Sequence, residues 1–131
     1  MSKALRLSEK WFQRGLWLVA FVFAAFLIGL GRTVVITADG EVDMHESPRL
    51  RKALADSIAY RPAAVVVDLA GVTFIDSSGV ATLVEAMKLA KAAGLALVLA
   101  GMNDKVKDVF ALARLDKFFR LAATRQEALG V

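Results

Sequence analysis

Val72-Thr73-Phe74-Ile75-Asp76-Ser77-Ser78-Gly79-Val80 is the stretch on which the fold turns. A short apolar run stops at three polar residues, after which Val80, Leu83, Val84, Met87 and Ala90 recur at the spacing of a helix with one buried face. The stretch is thus a strand running into the start of a helix. Asp76, Ser77 and Ser78 are residue types whose side-chain oxygens accept hydrogen bonds from the unpaired amides of a first helical turn. Gly94 ends that helix.

Upstream, Thr33 to Ala38 reads as a β-branched strand, followed by a turn at Asp39-Gly40 and a short extension through Glu41, Val42 and Asp43. Ser47-Pro48 reads as a cap with proline in the first helical turn, and Leu50, Ala53, Leu54, Ser57 and Ile58 repeat at helical spacing up to Tyr60. Arg61-Pro62 breaks the pattern. Ala63 to Leu69 is then a nearly all-apolar strand, which implies a sheet covered by helices on both faces.

Downstream, Leu95 to Leu99 is a further buried strand. Asn103 or Asp104 caps a helix whose inward residues are Val106, Val109, Phe110 and Ala113, and Phe118 to Leu121 supplies a last strand. Thr124 and Glu127 have the spacing of a capping box for a final short helix. Strands and helices alternating at such intervals predict one α/β domain over residues 33–131, with a mixed, mostly parallel sheet of about four or five strands and about four helices.

Composition narrows the chemistry. The 131 residues contain no cysteine and one histidine, His45, so disulfides, thiolate chemistry and histidine metal clusters are unsupported. The net charge of +4 sits in the first 33 residues, where Lys3, Arg6, Lys10, Arg14 and Arg32 face only Glu9. From residue 34 onward basic and acidic residues balance, so the domain lacks the basic footprint that nucleic acid requires. Asp68 with Asp76 as an acid/base pair, or Ser77 as a hydrolytic nucleophile, lacks a supporting base, and neither enzyme nor cofactor is expected. Asp68 reads instead as an inward residue capping a strand end, and Lys88, Lys91, Lys105 and Lys107 as solvated faces.

Residues 1–32 are of another kind. From Gly15 to Gly31 there is no charge, a stretch dense in Trp17, Phe21, Phe23 and Phe26 with Trp11 at its polar edge, slightly short of the ~20 residues of a bilayer span. A hydrophobic helix in contact with a membrane, a signal peptide, and a helix buried against a partner all fit, with membrane contact through residues 15–31 the expectation carried forward.

The physics of the polar run points to anions. A phosphate on Ser77 would bring roughly −1.5 to −2 charges to the positive end of a helix dipole, beside first-turn amides expected to be free. Asp76 and nearby Asp43 would oppose it by like-charge repulsion if they lie on the same surface. The plainer alternative is that Asp76, Ser77 and Ser78 only cap the helix and that Gly79 only permits close packing.

Gly40-Glu41-Val42-Asp43, a helix, Val65-Val66-Val67-Asp68-Leu69, the run Phe74 to Val80, Gly94 with its strand, and Ala113 to Phe119 follow in an order and spacing that closely resembles the STAS family, over about residues 33–129. The resemblance implies a STAS-like fold. It implies that Ser77, the serine directly after the motif aspartate, is a regulatory phosphorylation site, and that the turn at Gly40, Glu41 and Asp43 lies beside it and helps meet a partner kinase. Asp43, Asp76, Ser77, Ser78 and Gly79 are then the partner-binding residues.

The function this implies is that of an anti-sigma factor antagonist: a non-enzymatic switch that binds an anti-sigma factor or serine kinase while Ser77 is unphosphorylated, in the cytoplasm and held to the inner membrane face by its N-terminal segment. The alternative is a small STAS subunit of a lipid-transporting ABC system, with a permease or ATPase as partner. Relatives have a strand before Thr33, where this chain has its hydrophobic segment. Either Phe23 to Leu30 supplies that strand, or an edge is left for self-association into a homo-oligomer.

Overall fold

The computed structural model describes residues 33–130. Four strands, β1 (Thr33–Val42), β2 (Ala64–Ile75), β3 (Ala96–Ala100) and β4 (Arg120–Ala122), alternate with four helices, α1 (Ser47–Ala59), α2 (Ser77–Ala93), α3 (Asp104–Leu112) and α4 (Arg125–Leu129). The strands lie in the order β1-β2-β3-β4 and every described pairing is parallel, so no antiparallel partner accompanies them among the described residues. The N-terminal hydrophobic helix, the membrane contact of residues 15–31 and the strand sought between Phe23 and Leu30 all fall outside the described residues. Among the described residues, no helix is long and apolar enough to cross a membrane.

The nearly all-apolar character of β2 from Ala64 to Leu69 has the expected cause. On one face of the sheet Val34, Ile36, Val65, Val67, Leu69, Leu97 and Leu99 join Leu50 and Leu54 of α1, Leu83 and Met87 of α2 and Phe110 of α3 in one buried cluster. On the other, Val35, Val66, Val98 and Ala100 form a smaller one, against which Ala128 and Leu129 of α4 pack. Asp68 points to this second face, where its Oδ1 accepts from the Ala70 amide at 3.0 Å and its Oδ2 lies 3.7 Å from Arg125 Nη1.

Two expected chain breaks are absent. β1 runs straight through Asp39-Gly40, because Gly40 adopts φ 75° and register shifts between Thr37 and Asp39 and between Gly40 and Glu41 take up the irregularity inside the ladder. β2 likewise continues from Leu69 to Ile75. It can do so because Gly71 carries no side chain where the Asp39 carboxylate of β1 lies over it. β3 pairs with β2 only as far as Asp68, so the ends of β1 and β2 project past the rest of the sheet as a two-stranded arm.

Other boundaries also differ from the sequence reading. Ser47 is not the cap of α1 but its first residue, after Glu46, and is buried. Ala113 is exposed because α3 stops at Leu112 and Arg114 turns the chain at φ 58°. Phe119 is not a strand residue. It folds into the main core, its ring 5.5 Å from that of Phe110 at 74°, and only Arg120 to Ala122 extend the sheet. Lys91, expected on a merely solvated face, stands 5.4 Å above the Phe118 ring.

Phe110 is fully buried and holds α3 to the sheet and to Phe119. Phe110→Ala is expected to lower unfolding free energy by about 3–5 kcal/mol, read from the urea midpoint. A loss below about 1 kcal/mol would mean that the site refills and that α3 is not anchored there.

Candidate functional site

The projecting arm ends where β1 and β2 meet the starts of α1 and α2. Asp76 leaves β2 in an extended conformation and caps α2: its Oδ1 accepts from the amides of Ser78 (2.9 Å) and Gly79 (3.1 Å), and its carbonyl from the Val80 amide (3.0 Å). Its own amide donates to the Val42 carbonyl at 3.2 Å, tying the end of β1 to the helix start. Of the first-turn amides that a phosphate was expected to find free, those of Ser78, Gly79 and Val80 are therefore already taken.

Gly79 makes that junction possible. A Cβ on it would lie 2.7 Å from Ile75 Cγ1 and 2.8 Å from the Val42 carbonyl oxygen, closer than such atoms approach. Glycine is needed here for space, since its backbone is ordinary helix.

The two serines of the run have opposite fates. Ser78 is half-buried, and its hydroxyl donates to Asp76 Oδ1 at 2.5 Å and meets the Ser47 hydroxyl at 2.9 Å. Ser77 is exposed, and among the described residues its hydroxyl has no hydrogen-bond partner. Any reagent arriving from solvent meets Ser77 first.

Asp43 sits across the junction, just beyond β1. Its Oδ1 accepts from the amides of His45 (2.9 Å) and Glu46 (3.2 Å), and its carbonyl accepts from the Ser47 amide (2.8 Å) and the Ser47 hydroxyl (2.6 Å). The structure brings Asp43, Asp76, Ser77, Ser78 and Gly79 to one corner, where Ser47 links Asp43 to Ser78 and the Met44 backbone meets the Asp76 carboxylate. Ser47 was missed as a site residue, because nothing in the sequence relates it to a serine 31 residues on. Gly40 and Glu41 lie lower on the arm. Glu41 borders an open groove of about 520 Å³ with Thr73, Phe74, Lys105, Val106 and Val109, in which Phe74 is half exposed. Met44, 68% exposed, completes an apolar fringe on the polar corner.

Two carboxylates, Asp43 and Asp76, stand at this corner. The Ser78 hydroxyl, followed by the Gly79 and Ser78 amides, holds the Asp76 carboxyl below its ordinary value of 3.8. Asp68 and Asp76 do not act as a pair, since Asp68 is occupied by Ala70 and Arg125 on the second face while Asp76 is occupied by the start of α2. No group of carboxylates and histidine suited to a metal occurs among the described residues.

Known proteins share this fold. The family model described as the STAS domain matches residues 27–128. The anti-sigma-F factor antagonist RsfB of Mycobacterium tuberculosis is 31% identical over 96 residues, covering 72% of this chain and 77% of that protein. The Bacillus cell fate determinant SpoIIAA, solved in its phosphorylated form, is 25% identical with a TM-score of 0.61, covering 75% of this chain and 88% of that one. A sulfate transporter family protein from Wolinella succinogenes shares the fold at a TM-score of 0.69 and 22% identity, over 79% of this chain and 85% of that one.

Two outcomes follow from the junction. Gly79→Ala is expected to destabilise the protein by about 1–3 kcal/mol, because neither Val42 nor Ile75 has room to withdraw; an unchanged melting temperature would show that the arm gives way freely. Asp76, whose folded pKa is lowered, contributes stability that is complete above its unfolded value and fades as pH falls through the folded one. The gap in stability between wild type and Asp76→Asn is therefore expected to be constant near neutrality and to close on acidification below about 3.8. Circular-dichroism melts along a pH series would record it, and a gap that widened in acid would contradict the assignment.

Proposed function

We propose, since this chain belongs to the STAS domain family, that it is a phosphorylation-controlled protein-binding switch like the anti-sigma factor antagonists it resembles. Residues 33–131 form the switch domain. Asp43, Asp76, Ser77, Ser78 and Gly79 form the surface that an anti-sigma factor or serine kinase binds while Ser77 carries no phosphate. Residues 1–32 hold the domain at the inner face of the membrane.

The observation that carries this reading is the contrast between the two serines. A kinase needs a hydroxyl that is exposed and not engaged. Ser77 offers one, while Ser78 is committed to Asp76 and Ser47. The arrangement also supports a particular output. With the Ser78, Gly79 and Val80 amides occupied, a phosphate on Ser77 is not drawn into the helix start. It stands beside the Asp76 carboxylate and adds charge to an acidic corner. A partner that meets this corner with basic side chains and Met44 with apolar ones then faces a changed potential.

The test is binding and phosphate transfer with the cognate serine kinase and ATP. One phosphate is expected, on Ser77 and not Ser78, with Ser77→Ala left unmodified. Ser77→Asp is expected to weaken capture of the partner at least about tenfold, or about 1.4 kcal/mol. Equal capture of Ser77→Asp and wild type, or transfer to Ser78, would end the proposal. An unmodified Ser77 in a chain purified from membranes together with a permease or ATPase would replace it with the transporter-subunit reading.

A further inference from the structure

The hydroxyls beneath Ser77 are one proton short. Besides the backbone bonds to Asp76 from Met44 and to Val42 from Asp76, three hydroxyl links run through the junction: Ser47 Oγ to the Asp43 carbonyl at 2.6 Å, Ser47 Oγ to Ser78 Oγ at 2.9 Å, and Ser78 Oγ to Asp76 Oδ1 at 2.5 Å. A serine hydroxyl donates one proton, and an ionised carboxylate and a carbonyl donate none, so two protons serve three links. One link is empty at any moment.

Where the gap falls depends on which end of the chain attracts protons more strongly. If Asp43 and Asp76 each take a hydroxyl, the central serine pair is unbonded. If the Asp76 end attracts more, Ser78 keeps its bond to Asp76 and Ser47 turns its proton to Ser78, leaving the Asp43 carbonyl with backbone donors only, among them the amides of Glu46 and Ser47. The positions of the heavy atoms allow both.

We propose that Ser47 and Ser78 form a hydrogen-bond relay through which negative charge on Ser77 loosens the Asp43–Glu46 corner, with Ser47 as its positioning residue. The direction follows from charge. A phosphate adjacent to Asp76 makes that end of the chain more negative, which draws both hydroxyl protons toward it and away from the Asp43 carbonyl. Asp43 also caps the turn that carries His45 and Glu46 through its carboxylate, so the bond lost is one of those that hold this corner to α1. The partner surface then has two parts that change together, the modified serine and the corner bearing Met44, although Ser77 itself makes no hydrogen bond to that corner.

The inference rests on Ser77 as the phosphosite, but its test does not need the partner. Amide chemical shifts of the full chain are compared with and without Ser77→Asp, in four backgrounds: wild type, Ser47→Ala, Ser78→Ala and Ser47→Thr. In wild type the substitution is expected to shift His45 and Glu46 as well as the neighbouring Gly79. In Ser78→Ala, a half-buried helical position where alanine keeps the fold, and in Ser47→Ala, Gly79 still shifts while the response of His45 and Glu46 falls by more than half. Ser47→Thr, which restores a hydroxyl, is expected to recover the response.

A response at His45 and Glu46 that survives both alanine variants would overturn the relay, and so would its absence in wild type. Failure of the switch reading looks different. There the relay shifts appear as stated while Ser77→Asp and wild type capture the kinase equally.

Discussion

The site depends on how closely the first turn of α2 lies against the end of β1. With a hydrogen atom where other residues carry Cβ, Gly79 brings the helix backbone onto the Val42 carbonyl, and the Asp76 amide closes the contact from the other side. That approach puts Ser78 within hydroxyl distance of Ser47 and leaves Ser77 on the outer side of the helix start. Any widening would separate the serine hydroxyls and open the core at Val42, Ile75 and Val80 together. The corner is thus set by backbone packing, and its polar bonds follow from that.

Charge does the remaining work. A helix start usually welcomes an anion through its unpaired amides, but here Asp76 has already filled that role, its carboxyl held below its ordinary value by the Ser78 hydroxyl and the amides it accepts from. A second negative charge at Ser77 adds to a site whose electrostatic needs are met. Its effect falls on whatever approaches from solvent within about a Debye length, ~8 Å at physiological salt. This favours a switch that works by altering recognition over one that works by refolding, and it suits a domain whose two cores are fully formed on either side of the sheet.

Much of this was legible in the sequence. The period of Val80, Leu83, Met87 and Ala90, the apolar run of Val65, Val66 and Val67, and the punctuation by Pro62 and Gly94 are local signals with local causes, and the elements appear where they say. What was not legible was non-local. Asp39-Gly40 looks like a turn, and only the neighbouring strand, with Gly71 opposite Asp39, keeps the chain extended there. Asp76, Ser77, Ser78 and Gly79 announce a helix start by type and order, yet the division of labour between the serines depends on Ser47. Likewise Arg125 gives no sign in sequence that it pairs with Asp68 on the second face.

The arm formed by β1 and β2 has a bearing on the order in which the protein takes shape. Every hydrogen bond of the site is made between Val42 and Val80, and the arm beyond Asp68 needs no pairing from β3. A chain emerging from the ribosome has the whole corner in hand once α2 is made, while β3, α3 and β4 are still to come. The corner around Asp76 can therefore begin to assemble ahead of the stabilising half of the domain. What the later elements add is the buried weight of Phe110 and Phe119, which makes that early arrangement last.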